Sequence, residues 1–325
     1  MHDTVIVLRH KAEGQNSIEE IAKRIHESLC VKIVTLPYDS TDIFSIIRNI
    51  CFIKNIEAKT VHIMCPTEAY ILPFVKAKRI ITFHDLGTII ASRNIIYRIA
   101  KMLFYIFPAM QFSDFITFVS NETLKEFQKL TGCKKSDKLK VIYNFYDSRF
   151  STKKGKYRKQ KKFSILHIGT ACRKNLEIVI EACKGLNVRL DIVGILSDTQ
   201  QQLLNRYNVD YKNEYDITTA QIIEKYFSCD IVSFPSSYEG FGMPIIEANA
   251  AGKPVIAGDI PALHEIAKAS AVYVNPKSVE QIRRAIQKLR NDSIFYNKMS
   301  ALGLENSKRF SADAIVNKYG KLYTL

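Results

Sequence analysis

Apolar, β-branched runs alternate with stretches of helical periodicity along almost the whole chain. Strands are predicted near Val5–Leu8, Lys32–Leu36, Val61–Cys65, Ile80–Phe83, Phe115–Val119 and Lys140–Tyr143 in the first half. In the second half they fall near Ser164–Ile168, Arg189–Val193, Asp230–Phe234, Pro254–Ala257 and Ala271–Val274. Helices separate them, among them Ser17–Ser28, Asn121–Leu130, Asn175–Cys183 and Val279–Leu289. Such alternation argues for parallel sheets with crossover helices. The basic, serine- and glycine-containing stretch 148–162 is the best boundary. The reading is α/β: two doubly wound, Rossmann-like domains facing a central cleft. Ligands of such sheets sit at the carboxyl ends of strands, which is where Glu239 and His84 fall.

One segment stands out: Pro235-Ser-Ser-Tyr-Glu-Gly-Phe-Gly-Met-Pro-Ile-Ile-Glu247. The strand before it is apolar, as a buried parallel strand requires. Pro244 suits the first helical turn, and Gly252 with Pro254 suits the stop. Glu239 then lies in a loop beside Gly240 and Gly242, and Glu247 lies about one turn into a helix. N–H groups at Phe241, Gly242 and Met243 would point from a helix start, a natural place for phosphate or sugar hydroxyls. Each carboxylate accepts hydrogen bonds from a vicinal diol. Local acids at a helix start account for Glu247 alone, but not for a loop glutamate flanked by glycines.

Composition narrows the class. The chain has 325 residues, 47% hydrophobic and 24% charged, and a formal net charge of +15. That length accommodates two domains, and the charge favours anionic partners. No apolar run reaches membrane-spanning length, and the N-terminus reads as a strand rather than a signal peptide. Seven scattered cysteines, without a Cys-x-x-Cys pair, suggest reduced core thiols in a cytoplasmic protein. The run 153–162 holds seven basic residues and reads as a solvated linker. No nucleic-acid motif accompanies the charge, so no nucleic acid partner is expected.

The second half opens with Phe163-Ser-Ile-Leu-His-Ile-Gly-Thr-Ala-Cys-Arg-Lys-Asn175, again strand, glycine loop and helix. Arg173 and Lys174 at that turn suit a diphosphate. With both segments on the page, the second half resembles the retaining glycosyltransferases of the GT-B fold, glycosyltransferase family 4 (group 1). The stretches Ala251–Ala257, Ile260–Glu265 and Phe310–Tyr319 are similar too, and Thr82-Phe-His-Asp-Leu86, Phe118–Ser120 and Val141–Asn144 more thinly. The chain departs from that pattern at Thr170, where many relatives carry Arg, at Phe145 in place of Gly, and at the single Gly14 of the first loop.

The resemblance implies an acceptor-binding domain at 1–147, a nucleotide-sugar-binding domain at 148–305, and a terminal helix at 306–325 returning to the first domain. It implies a metal-independent hexosyltransferase that retains anomeric configuration, with a UDP- or GDP-type sugar as donor and a glycan or lipid-linked acceptor. Glu247 would hold the ribose. Glu239, with the backbone of Gly240, Phe241, Gly242 and Met243, would hold the moving sugar. Arg173 and Lys174, beside Gly169 and Thr170, would bind the diphosphate, and His84 would face sugar and acceptor. His10, His167 and His264 are read as structural. The chain contains no Asp-x-Asp.

Alternatives are a GT-B nucleotide-sugar enzyme of other chemistry, an epimerase or phosphorylase, and a non-catalytic basic protein binding membrane or RNA. The segment Arg93–Phe107 mixes cations with aliphatic and aromatic residues. It suits a membrane surface or a core helix with snorkelling cations, and the core reading is preferred. Peripheral contact with the inner face of the membrane stays open.

Overall fold

The structure is a computed structural model that describes residues 3–10, 17–134, 136–152 and 162–325. The loop at Gly14 and the basic residues 153–161 lie outside the described residues. The chain divides into two compact units, Met1–Asn144 with Ala312–Leu325, and Phe145–Ser311.

The first unit holds strands β1 (Thr4–Leu8), β2 (Lys32–Thr35), β3 (Thr60–Ile63), β4 (Lys78–Phe83), β5 (Phe115–Phe118) and β6 (Leu139–Val141). The second holds β7 (Phe163–Ile168), β8 (Val188–Val193), β9 (Tyr211–Glu214), β10 (Ile231–Phe234), β11 (Val255–Gly258) and β12 (Ala271–Val274). Each set forms one six-stranded sheet, in the orders β2-β1-β3-β4-β5-β6 and β12-β11-β10-β7-β8-β9. All pairings are parallel, for example Val7 with Ile63 and Ser233 with His167. Every predicted strand is present, with bounds displaced by at most two residues. The polar edge strand β9 is additional. Its sequence, Tyr-Lys-Asn-Glu, carries no apolar signal, because an edge strand buries little.

Central strands β1, β3, β10 and β11 are buried along their whole length. In the first unit, Phe83, Phe118 and Phe127 pack with ring centroids 5.0–5.8 Å apart. Each such burial contributes about 1.5–3 kcal/mol. The helix Ala312–Thr324 belongs to this unit. Tyr323 Oη lies 2.7 Å from His62 Nδ1, and His62 Nε2 lies 2.7 Å from Thr82 Oγ1. Lys78 Nζ donates to the carbonyl of Leu322 at 2.9 Å. In the second unit Ile165, Leu190, Ile192, Ile231 and Ile256 form the centre of the core.

The segment Arg93–Phe107 corrects the expectation of a core helix. Helix Ile95–Lys101 has no buried residue, and Ile96 is 75% exposed. The chain continues through a π-helical turn, Met102–Ile106, into helix Phe107–Phe112, where only Ile106, Pro108 and Ala109 are buried. Apolar residues lie on more than one side of the run, and one side alone finds a core. The cysteines also differ from expectation: Cys65, Cys183 and Cys229 are buried, whereas Cys30, Cys51 and Cys172 are exposed. Among the described residues, no helix is long and apolar enough to cross a membrane.

Candidate active site

Two turns at the carboxyl ends of neighbouring strands build the site in the second unit. After β7 the backbone reaches Gly169 with φ +92°, passes Thr170, makes a short turn at Cys172–Lys174, and enters helix Leu176–Cys183 through Asn175 in the left-handed region. A Cβ on Gly169 would lie 3.3 Å from Cε and Cγ of Lys174. The glycine is therefore what lets the lysine fold back over the strand end. Thr170 Oγ1 donates to the carbonyl of Ile195 at 2.6 Å, and Gln200 Nε2 donates to the Thr170 carbonyl at 2.9 Å. Thr170 thus serves the loop's own framework.

After β10 the chain runs through Pro235–Gly242 into helix Met243–Ala250. Gly242 has φ +109°, and a Cβ there would meet Leu263 Cδ2 at 2.7 Å. Only glycine fits, so the tight entry to the helix is dictated by backbone sterics. The two turns are tied together. Asn175 Nδ2 donates to the Pro235 carbonyl at 2.7 Å, and the Ser237 N–H donates to the Arg173 carbonyl at 2.9 Å. Beneath them a Cβ on Gly258 of β11 would stand 2.2 Å from the Ser236 carbonyl oxygen.

This framework brings most of the predicted site residues together. Lys174 Nζ donates to Glu239 Oε1 at 2.5 Å and sits 4.3 Å from the centroid of the Phe234 ring. Burial lowers the lysine's pKa, and the Glu239 charge opposes that shift. Glu247 accepts a hydrogen bond from Tyr226 Oη at 2.6 Å. Its carboxyl is pushed up to about 7, chiefly by burial; the Tyr226 bond works against the shift, and the Asp147 charge adds to it. Arg173 is exposed at the same turn. Gly240, Phe241, Gly242 and Met243 line the entry to the helix that carries Glu247. A helix of this kind presents its first N–H groups outward, where they suit an anion.

His167 and Ser233, register partners on β7 and β10, are fully buried. Ser233 Oγ has no hydrogen-bond partner among the described residues, and the His167 ring lies against the backbone of Gly169 and Ser233. Burial holds the His167 ring neutral, with its pKa down at about 3, and the nearby Lys174 charge acts in the same direction.

His84 belongs to the first unit, just past the end of β4. Its Nε2 lies 2.8 Å from the Met64 carbonyl. A carbonyl only accepts, so Nε2 carries the proton and Nδ1 keeps its lone pair. Burial lowers its pKa to about 4, so the ring is neutral at physiological pH. It lines a cavity of about 210 Å³ with Arg9, Thr67, Asp85 and Tyr105. A second cavity, of about 450 Å³, shares Arg9, Thr67 and Tyr105 and adds Ser40, Glu68, Tyr70, Tyr97 and Lys101. Glu68 is buried and accepts from Ser40 Oγ at 2.7 Å; desolvation raises its pKa. Sequence reading missed Glu68. The signal was its place in Pro66-Thr-Glu68, directly after the carboxyl end of β3. Among the described residues, no group of three or more His, Cys, Asp or Glu side chains could hold a metal ion.

Known proteins share the fold. The chain superposes over 100% of its length on 100% of the Anabaena HepE structure in complex with UDP and glucose, with a TM-score of 0.80 and 15% identity. Two parallel six-stranded sheets of this kind are the GT-B fold. Residues 149–305 match the family "Glycosyl transferases group 1", and the chain carries that glycosyltransferase family 4 domain. It is 27% identical over 185 residues to the serotype-specific mannosyltransferase WbdA of Escherichia coli, covering 53% of this chain and 23% of WbdA. It is 30% identical over 176 residues to the O-antigen chain mannosyltransferase RfbU of Salmonella typhimurium, covering 48% of each. The chain thus spans about a quarter of the first relative and about half of the second.

Proposed function

We propose that the protein is a retaining, metal-independent glycosyltransferase that moves a hexose from a nucleoside-diphosphate sugar to a glycan or lipid-linked acceptor in polysaccharide or glycolipid synthesis. The observation that carries this reading is the set of Lys174, Glu239 and Glu247 around one glycine turn of a group 1 domain. The relatives' names favour mannose as the sugar and O-antigen-type polysaccharide as the product. HepE with UDP and glucose supports a nucleotide-sugar donor, of UDP or GDP type.

In this reading Glu247 accepts from the ribose hydroxyls, and Glu239 with the Gly240–Met243 backbone accepts and donates to the sugar. Lys174 and Arg173 hold the diphosphate and stabilise the charge that develops on it. The bond from the anomeric carbon to the phosphate oxygen breaks. A bond to the acceptor oxygen forms on the same face, and the acceptor's proton passes to the departing phosphate. Lys174 shares its ammonium between Glu239 and the phosphate, so donor binding re-partitions an existing ion pair. His84, neutral and with Nδ1 as acceptor, suits a hydroxyl of a ligand in the first unit's own cavity. The cavity around Glu68 is assigned to the acceptor, because a buried carboxylate among tyrosines suits sugar hydroxyls. A cytoplasmic location is part of the proposal, since free, exposed cysteines suit a reducing compartment.

A panel of UDP- and GDP-hexoses, read for release of the nucleoside diphosphate, tests the reading. One donor is expected to be turned over by the parent chain and not by Lys174→Ala. Silence across the panel, with and without membrane-extracted acceptor, contradicts it.

A further inference from the structure

We propose that the first unit docks on an anionic lipid surface through the outer face of the helical run Ile95–Phe112. Ile96, Ile99, Leu103, Phe107 and Met110 follow one another at spacings of three or four residues, and all are exposed. On a helix such positions form a single stripe, here ~21 Å long at 1.5 Å per residue. The inner side of the run is already committed to the core through Ile106, Pro108 and Ala109. The outer side is therefore a second apolar face, and single exposed residues scattered by chance do not form one. Across the cavity that Ile46 and Tyr97 both line, helix Ile43–Lys54 adds Ile43 and Phe44, the latter 72% exposed.

Charge selects the occupant. From Leu86 to Ser113 the chain has Arg93, Arg98 and Lys101 and no Asp or Glu, and 43–54 has Arg48 and Lys54 and no acid. Lys101 Nζ rests 4.6 Å from the centroid of the Tyr97 ring. Cations beside aromatic and aliphatic residues suit the boundary between headgroups and acyl chains. A second copy meeting this face about a two-fold axis would set arginine against arginine, whereas phosphodiester headgroups neutralise it. The proposal stands on this face alone and does not depend on the sugar-transfer reading.

Co-sedimentation of the full chain with phosphatidylcholine vesicles, with and without phosphatidylglycerol, tests it. The parent chain is expected to pellet with the phosphatidylglycerol vesicles at low salt and less at high salt. Ile96→Asp combined with Leu103→Asp is expected to lose at least tenfold in binding. Arg93→Gln and Arg98→Gln are each expected to weaken it by about fivefold. Ile96 and Leu103 are both exposed, unchanged melting temperatures show intact folds of all these variants, and a thermal shift with nucleotide reports the donor site separately. Failure of the parent chain to pellet overturns the proposal. So does unchanged binding by the double aspartate variant. A dimer that this variant breaks, without any vesicle binding, assigns the face to self-association instead.

Discussion

Lys174 and Glu239, sixty-five residues apart in sequence, share one hydrogen-bonded ion pair at 2.5 Å between the ends of β7 and β10. Both side chains are largely withdrawn from solvent. The pair has two separable consequences, one for folding and one for transfer.

Lys174→Ala is expected to cut donor turnover by ~10²–10³-fold, the scale for loss of one charge-stabilising donor. It also leaves Glu239 without its cation, at about 1–3 kcal/mol of stability. Adding Glu239→Gln to that variant removes the orphaned charge and restores most of the stability, with no recovery of turnover. Melting temperature and nucleotide release, measured on both variants, separate the effects. Turnover returning with stability would mean that the lysine is structural only.

Glu247 makes donor binding and stability respond to pH in opposite directions. Its folded pKa of about 7 lies above the ordinary carboxylate value of ~4.3. The stability it contributes is therefore complete below the unfolded pKa and is lost as pH rises through about 7. Glu247→Gln is expected to flatten that slope and to be more stable in alkaline buffer by about 1–3 kcal/mol. Ribose hydroxyls donate to the ionised carboxylate, so nucleotide affinity of the parent chain should rise over the same range, while that of the Gln variant stays flat and weak. Calorimetric titration across that pH range checks both.

Much of this was legible in the residues. The alternation of apolar strands and helices located both sheets, because buried parallel strands are apolar along their whole length. The placing of Glu239, Gly242 and Glu247 on one strand-to-helix turn was also legible, because Pro244 and Gly252 bracket the helix, and Gly242 adopts φ +109° there. Other features depend on through-space partners. The Lys174–Glu239 pair, the Tyr226 bond to Glu247 and the His62 network join residues far apart in sequence, and no local spacing encodes them. Arg93–Phe107 misled because an apolar helix reads the same whether one face or both are covered. Glu68 was overlooked because an acid after a strand resembles any loop residue until its burial is seen.

Glycine substitutions test the framework below the site. At Gly258 a Cβ meets a backbone carbonyl at 2.2 Å, whereas at Gly132 nothing stands within 4 Å. Gly258→Ala is expected to cost several kcal/mol or prevent folding, because backbone cannot move aside. Gly132→Ala should cost only ~1 kcal/mol, for its left-handed conformation. Chemical denaturation midpoints should show that order. Equal effects would place the second sheet's turns elsewhere.

His62 ties helix Ala312–Thr324 to the first sheet through Tyr323 and Thr82, and burial holds its pKa at about 3. A depressed histidine contributes stability above its unfolded pKa of ~6.5 and loses it as pH falls toward the folded value. His62→Leu is expected to cost about 1–3 kcal/mol near neutrality, since it strands the Tyr323 hydroxyl and leaves Thr82 to its bond with Thr117. It should also lessen the acid sensitivity of the first unit. Melting curves from neutral to acidic buffer decide this, and an unchanged acid slope would remove His62 from the account.

The central claim is retaining transfer from a nucleotide sugar held by Lys174, Glu239 and Glu247. The most direct measurement is proton NMR of the product formed from an α-linked UDP- or GDP-hexose by the parent chain, alongside Glu239→Ala. The account predicts an α-linked product from the parent chain and none from the variant. A β-linked product, or equal turnover by the variant, would contradict it.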